Sequence, residues 1–211
     1  MAVVEPAGLR ERKRARTRQA IASAALALFD RQGFAETTIA QIAEAADVSP
    51  RTVSAYFPHK EELAFPDSAE AFRSLEARLD ERAPGETAAD ALRAWIEGWL
   101  QTHAAHAADV PARRRVVAAD EGLRAYEHRF TQRAQETIAA AMARDLGGAP
   151  TDLEPRMAAA ATVTVFDVLG ETLTPDALFE GEEVRAGALA LLDRALTFIG
   201  GGIEALRAGP R

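Results

Sequence analysis

Residues 38–60 read TIAQIAEAADVSPRTVSAYFPHK, and this stretch decides the fold that the sequence predicts. Thr38 and Gln41 form a capping box, in which each side chain bonds the backbone N–H of the other residue, so a short helix begins at Thr38. A second start signal follows at Ser49, a good N-cap, with Pro50 at the first helical position, where its missing N–H is no loss. The stretch therefore predicts two short helices joined by a tight turn, which is a helix-turn-helix.

The apolar residues of this stretch recur at helical spacing and mark its inner side: Ile39, Ile42, Ala43 and Ala46 in the first helix, Val53 and Phe57 in the second. Between the helices Asp47 tolerates a left-handed backbone better than most non-glycine residues. The outer side of the second helix keeps Arg51, Thr52, Ser54 and Ala55. An arginine that can bind guanine in two places, among small side chains, suits entry into the major groove. A helical hairpin that binds no nucleic acid is the alternative.

Together with its neighbours, this stretch resembles the DNA-binding domain of the TetR family of transcriptional regulators. The matching residues are Gly33-Phe34, Thr37-Thr38, Ile39, Ile42-Ala43, Val48-Ser49, Thr52-Val53, Tyr56-Phe57, Lys60 and Leu63. Asp47 departs from the pattern, since the family usually has glycine in the turn. The resemblance implies an all-α protein with a three-helix DNA-binding domain and a larger C-terminal helical domain for ligand binding and dimerisation. It also implies a homodimer that represses a promoter at an inverted-repeat operator and releases it when a small ligand binds.

The resemblance assigns residues to the DNA as well. The base-reading positions are Pro50, Arg51, Thr52 and Ser54, and the positions that hold phosphates are Thr38, Tyr56 and Lys60. The run from Arg10 to Arg18 adds six basic residues and one acidic residue ahead of the first helix. Cations at a helix N-terminus oppose its dipole by up to ~0.3–1 kcal/mol each. A phosphate backbone nearby explains them better than stability does, and Arg14 and Arg18 are the phosphate contacts predicted here, against the alternative of a solvated charge run.

Length and composition exclude several classes of protein. The chain has 211 residues, enough for a core without covalent staples. It has no cysteine, which excludes disulfides, thiolate metal sites and cysteine nucleophiles. No apolar run reaches membrane length and the N-terminus lacks a secretion signal, so we expect a cytoplasmic protein.

Residues 1–62 carry nine Lys/Arg and eight Asp/Glu, and residues 63–211 carry sixteen Lys/Arg and twenty-four Asp/Glu. We expect a disordered arm at 1–9, a DNA-binding domain at 10–64 and a ligand-binding and dimerisation domain at 65–211.

An apolar stripe with both tryptophans of the chain runs through residues 86–109: Leu92, Trp95, Ile96, Trp99, Leu100 and His103. Such a stripe is usually core, and the alternative is a pocket wall. The predicted pocket is lined by Phe72, Trp95, Trp99, His103, Tyr126 and Phe130. The segments YFPHKEELAFPD and EGLRAYEHRF resemble the TetR subgroup with an acyl-CoA-like ligand-binding domain. That resemblance implies a long lipophilic or thioester ligand and makes Arg113–Arg115 candidates for its phosphates, against a solvated turn.

The last helix carries Leu189, Leu192, Leu196, Ile199, Ile203 and Leu206, spaced three and four apart like a coiled-coil seam. The resemblance implies that the last two helices pair with those of a partner, and the predicted interface is Val165, Leu189, Leu192, Leu196, Ile199 and Ile203. Packing within one chain is the alternative. Three glycines at 200–202 interrupt the seam at a cost of roughly 2–3 kcal/mol in helix propensity, and the sequence leaves open whether they are helical.

Catalysis and metal binding find little support in the sequence. His103, His106 and Asp109 could share a helix face, but nothing else marks a metal site, so we predict none. No nucleophile elbow and no convincing polar constellation occur, so we predict neither an enzyme nor a cofactor. A helical small-molecule carrier or enzyme with a structural N-terminal hairpin is the alternative function, and only DNA binding requires the basic arm, Arg51 and Lys60.

Overall fold

In a computed structural model, the chain is helical over most of the residues that the structure describes, which are 8–103, 109–172, 190, 193–194, 197–205 and 208. The helices are α1 (Leu9–Gln32), α2 (Ile39–Ala45), α3 (Pro50–Tyr56), α4 (Ser68–Asp80), α5 (Ala88–His103), α6 (Val110–Ala119), α7 (Glu121–Leu146) and α8 (Leu153–Thr172), with a 3₁₀ turn at Lys60–Leu63. No β-strand occurs in these described ranges, which confirms the all-α class. None of the described helices has the length and apolar character of a membrane span.

The chain packs as two compact units. The first comprises Met1–Ser68 and Asp109–Tyr126, and the second comprises Ala69–Ala108 and Glu127–Arg211. The first unit therefore contains the helix-turn-helix together with α6 and the first residues of α7, a segment that the sequence analysis placed after residue 65. This division describes packing, and the functional domains at 10–64 and 65–211 stay a prediction.

The helix-turn-helix has the predicted local structure. The Gln41 N–H donates to Thr38 Oγ1 at 3.2 Å, and the Thr38 N–H donates to Gln41 Oε1 at 2.8 Å, so the capping box is confirmed. The Thr52 N–H donates to Ser49 Oγ at 3.1 Å, which confirms the second N-cap. Asp47 in the turn has φ 53°, the left-handed conformation expected of it.

The core of the first unit lies beneath these helices. Its buried side chains from the helix-turn-helix region are Ile21, Ala25, Phe29, Ile42, Ala43, Val53, Phe57 and Leu63. Val116 and Val117 of α6 and Leu123 of α7 belong to the same cluster. Because burial of a large apolar side chain contributes about 1.5–3 kcal/mol, these three residues bind the 109–126 segment to the first unit.

The second unit has its own core, to which α4, α5, α7, α8 and the last helix contribute. Arg82 and Asp145 form an ion pair of 2.5 Å at one end of this unit, with side chains only 11% and 8% exposed. The other carboxylate oxygen of Asp145 accepts a hydrogen bond of 2.6 Å from the Ala88 N–H at the start of α5. Asp145 thus joins the ends of three helices, because Arg82 follows α4 directly and Asp145 lies near the end of α7.

The C-terminal helix differs from the predicted dimer seam. Ile199 and Ile203 are each 4% exposed and lie in the core of the second unit, and Val165 packs against that core half-buried. Ile199 and Ile203 have little surface left for a partner, so packing within the chain describes these two better, while Val165 stays a predicted interface residue. Leu189, Leu192, Leu196 and Leu206 lie outside the described residues. The 200–202 glycines are helical, and a Cβ at any of them would meet no atom within 4 Å.

Candidate nucleic-acid interface

Helix α3 has one buried face and one exposed face, and the exposed face carries the predicted base-reading residues. Val53 in α3 and Phe57 directly after it are 0% and 1% exposed, so Pro50, Arg51, Ser54 and Ala55 are left on the exposed side of this helix. Three of the four predicted base-reading residues, Pro50, Arg51 and Ser54, are exposed, and the fourth, Thr52, is half-buried. The hydroxyls of Ser49 and Thr52 lie 2.8 Å apart and share a hydrogen bond at the start of the helix. The surface thus presents one long cationic side chain among short polar ones, as major-groove reading requires.

Thr38 and Tyr56, both predicted to hold phosphates, differ in their exposure. Thr38 is exposed, but its hydroxyl already serves the capping box at the start of α2. Tyr56 is half-buried at the end of α3, and the guanidinium carbon of Arg14 lies 5.9 Å from the centre of its ring. The exposed Arg14 is therefore placed beside the end of α3.

Arg18 has an internal role that the sequence analysis did not foresee. Its two terminal nitrogens donate hydrogen bonds of 2.8 Å to the carbonyl oxygens of Tyr56 and Pro66. Its guanidinium also lies 4.2 Å above the ring of Phe57. The group is bound within the first unit, so this geometry gives no support to the phosphate contact predicted for Arg18.

Lys60 is bound in a similar way. Its ammonium donates hydrogen bonds of 2.5 Å and 3.4 Å to the carbonyl oxygens of Phe34 and Ala35, and it lies 4.3 Å from the centre of the Phe34 ring. Burial lowers the pKa of Lys60 below its usual value, although nearby carboxylates oppose this effect. Lys60 thus joins the 3₁₀ turn to the loop after α1. Two of the three N–H donors of its ammonium are used within the unit, so one donor remains for the predicted phosphate contact.

The three arginines of α6 have different surroundings within the first unit. Arg115 forms an ion pair with Asp30 of α1, with Nε–Oδ1 and Nη2–Oδ2 distances of 3.1 Å and 2.8 Å, and its hydrogen bond lowers the pKa of Asp30. Arg113 is half-buried, and its Nε has no hydrogen-bond partner. Burial lowers the pKa of Arg113, and the carboxylates of Asp67 and Asp109 partly offset this. Arg114 and Arg115 are both exposed, as the alternative of a solvated turn expects, and Arg115 is also paired with Asp30.

The predicted pocket residues fall into separate groups. Within the second unit Phe72 and Phe130 meet edge to face at 6.1 Å, and the Trp95 and Trp99 rings stack at 5.8 Å. Trp95 Nε1 also donates to Ser74 Oγ at 2.9 Å. In the first unit the Tyr126 ring stacks on Phe65 at 5.4 Å. The side chain of His103 lies outside the described part of the chain.

The second unit also has an open cleft of about 690 Å³ between α7 and the start of α8. Among the predicted pocket residues whose side chains the structure describes, none lines it. Its lining residues are Gln132, Gln135, Glu136, Ala139, Pro150, Thr151, Leu153, Arg156, Met157, Ala159 and Ala160.

Comparison with known sequences gives a family for the N-terminal part. Residues 21–65 match the family described as bacterial regulatory proteins, tetR family. The HTH-type transcriptional regulator TcmR of Streptomyces glaucescens is 42% identical over 85 residues, which are 40% of this chain and 38% of TcmR. MftR of Mycobacterium tuberculosis, named as a regulator of mycofactocin biosynthesis, is 29% identical over 148 residues, or 70% of this chain and 75% of MftR.

Comparison with solved structures supports the fold over most of the chain. The structure of SmeT with triclosan has a TM-score of 0.59 at 21% identity, covering 86% of this chain and 90% of SmeT. FadR of Thermus thermophilus, described as a TetR-family repressor and solved with lauroyl-CoA, has a TM-score of 0.55 at 21% identity, covering 88% of this chain and 94% of FadR. At this identity the likeness extends to the fold and no further.

The internal role of Lys60 can be tested without DNA. We expect Lys60→Met, which keeps an unbranched side chain but loses all its donors, to lower the free energy of unfolding by about 1–3 kcal/mol. The Phe34 carbonyl loses a hydrogen bond from a charged donor and keeps only the one from the Thr37 N–H. The exposed Arg51→Met is the control and should unfold like the wild type in urea. A Lys60→Met protein of wild-type stability whose DNA affinity shows a salt slope lower by about 0.9 per half-site would instead make Lys60 a phosphate contact.

Proposed function

Because the chain belongs to the tetR family of bacterial regulatory proteins through its N-terminal domain, we propose that it is a homodimeric repressor that a small lipophilic ligand releases from an inverted-repeat operator. It would act in the cytoplasm, where the bacterial chromosome lies. The carrier or enzyme alternative explains neither the exposed Arg51 on α3 nor the exposed cations of α1. Both sequence relatives are named as transcriptional regulators.

The observation that carries this proposal is the outer surface of α3. Its inner side chains are buried in the first unit, while Arg51 and Ser54 remain exposed next to the N-terminal end that enters the groove in helix-turn-helix proteins. Selection of bound sequences from a random DNA pool tests the proposal. Enrichment of an inverted repeat supports a symmetric DNA reader, and a pool without enrichment contradicts it.

The first prediction concerns base reading by Arg51. We expect Arg51→Ala to cost about 1–3 kcal/mol in operator affinity and to relax the preference at one base of each half-site, because a bidentate contact to guanine is lost. Arg73→Ala, which removes an exposed arginine of α4 in the second unit, is the matched control and should bind normally. Unchanged base preference in the Arg51→Ala protein would exclude Arg51 as a reader.

For the dimer, we place the interface on the outer faces of α8 and the last helix. Leu153, Met157 and Phe198 are 64%, 58% and 72% exposed, which is unusual for large apolar side chains. Small residues that are exposed on the same two helices include Ala160, Ala161, Thr164, Gly201 and Gly202. Each helix buries its opposite face in the core of the second unit. Small residues beside large exposed ones would let the helices of a second copy approach closely and cover this apolar surface.

Disruption of this face tests the dimer. We expect the Met157→Glu, Phe198→Glu double variant to sediment as a monomer and to lose operator binding, since two reading heads must contact half-sites about one DNA turn (~34–36 Å) or a multiple apart. Leu9→Glu, which places the same charge at another exposed apolar residue, is the control and should remain a dimer. A dimeric double variant would move the interface to another surface.

For the ligand, we propose the second unit and its aromatic residues Phe72, Trp95, Trp99 and Phe130. The edge-to-face phenylalanines and the stacked indoles provide the apolar lining that small-molecule sites need. His103 stays a predicted member, and we leave out Tyr126, whose ring stacks within the first unit. Two proteins of this fold were solved with lipophilic ligands, triclosan and lauroyl-CoA, which supports the class of ligand.

A ligand can release the operator only if it prefers the protein without DNA, because equal affinity for both states shifts nothing. We expect lauroyl-CoA or triclosan to quench the fluorescence of the two tryptophans and to bind about 5–150-fold more weakly when operator is present, which corresponds to a coupling of about 1–3 kcal/mol. Trp95→Phe and Trp99→Phe show which indole reports the binding. A ligand that quenches equally well with and without operator would contradict regulation through this site.

A further inference from the structure

Helix α1 begins well before the part of it that packs in the core. The helix spans Leu9–Gln32, and its first buried side chain is Ile21. The cationic side chains ahead of the packed part are exposed, namely Arg10, Arg12, Lys13, Arg14 and Arg16. These cations are not spread evenly around the helix, because residues four apart lie on the same face and residues two apart do not.

One face of this extension continues the packed face of α1. Arg18 precedes the buried Ala22 and Ala25 by four and seven residues, and it is itself bound inside the first unit. Arg14 and Arg10 stand four and eight residues before Arg18, so they extend its face beyond the core. Arg12 and Arg16 also stand four apart, but on the opposite side of the helix.

The face with Arg10 and Arg14 is also the face from which Arg14 and Arg18 reach Tyr56 at the end of α3. Arg18 donates to the carbonyl oxygen of Tyr56, and the guanidinium of Arg14 lies 5.9 Å from the centre of the Tyr56 ring. When α3 occupies a major groove, the DNA strands that border the groove pass beside the ends of this helix. The cations of this face are therefore placed at the backbone, not at the bases.

The opposite face lies farther from that backbone by about the diameter of a helix, roughly 10–12 Å with its side chains. That distance exceeds the Debye length of about 8 Å at physiological salt, so charges there are largely screened from the phosphates. Only cations in contact with phosphates release condensed counterions, and this release determines the salt dependence of binding.

We propose that the extension of α1 binds the sugar-phosphate backbone beside each half-site through one face only, with Arg10 and Arg14 as its phosphate contacts, while Arg12 and Arg16 contribute no contact. This inference rests on the proposed operator binding and makes it more specific. It assigns a phosphate to Arg10, gives none to Arg18, and divides a run of like charges into a binding face and a solvated face.

Two matched double variants of the full-length protein test the division. Arg10→Gln with Arg14→Gln and Arg12→Gln with Arg16→Gln each remove two charges at the same spacing in the same helix, so they change the net charge of the protein equally. Operator affinity of each is measured by fluorescence anisotropy over a range of salt concentrations. We expect the first variant to lower the slope of log K against log salt by about 0.9 for each lost phosphate contact, close to two per half-site, and the second to leave it nearly unchanged.

The ratio of operator to scrambled-DNA affinity separates this inference from the proposed function. Phosphate contacts carry no sequence information, so both variants should keep the wild-type ratio. A wild-type protein that does not distinguish the two DNAs would overturn the proposed function. Slopes that fall equally in both double variants, or in neither, would overturn the one-sided contact while operator recognition stands.

Two further variants guard against a folding effect, since Arg14 touches Tyr56. Arg10→Gln alone leaves that contact in place and should still lower the slope by about 0.9 per half-site. Arg10→Lys with Arg14→Lys keeps both charges and should retain the wild-type slope. A single Arg10→Gln variant with an unchanged slope would remove Arg10 from the interface, whatever the stability of the double variant.

Discussion

The C-terminal end of α3 is held by the guanidinium of Arg18, and the arrangement of the first unit depends on this interaction. Helix α3 ends at Tyr56, and the last carbonyl groups of a helix have no donor within the helix. Arg18 supplies the donor for the Tyr56 carbonyl, and its second terminal nitrogen binds the Pro66 carbonyl ahead of α4. A buried carbonyl without a partner costs about 1–3 kcal/mol, so α1 is joined to both segments by bonds that few other side chains could replace.

Lys60 has the same kind of task at the loop that follows α1. Its ammonium binds the carbonyl groups of Phe34 and Ala35, near the point where α1 ends with Gly33 in a left-handed conformation. Two cations of the N-terminal third thus donate to backbone carbonyl groups at the end of α3, ahead of α4 and in the loop after α1. A count of basic residues in this part overstates the charge available to DNA, because Arg18 and Lys60 are engaged within the unit.

The features that the sequence predicts best are those decided by near neighbours. The capping box of Thr38, the N-cap of Ser49 and the left-handed Asp47 each involve residues within four positions, and all are confirmed. The site is harder to predict, because the role of a charged side chain depends on distant partners. Arg18 gave one usable signal, since it stands in register with the buried Ala22 and Ala25. The pairing of Asp30 with Arg115 gave none, because 85 positions separate the two residues.

The C-terminal helix is a second case in which the sequence alone does not identify the partner of a side chain. A spacing of three and four predicts an apolar stripe but cannot say whether the stripe faces its own chain or a partner. Ile199 and Ile203 lie in the core of their own unit, whereas Phe198, which falls outside the three-and-four pattern, is exposed. The proposed dimer face therefore includes Phe198, a residue that the three-and-four pattern did not select.

The basic extension of α1 breaks a local rule of helix stability. Its cations lie at the N-terminal end, where the helix dipole disfavours them, and they repel one another at spacings of four. The extension also lacks the buried apolar face from which most helices in proteins gain their stability. Conflicts of this kind between local preference and structure are expected at functional sites. An anionic partner offsets these unfavourable contributions, because phosphates attract the same charges that destabilise the free helix.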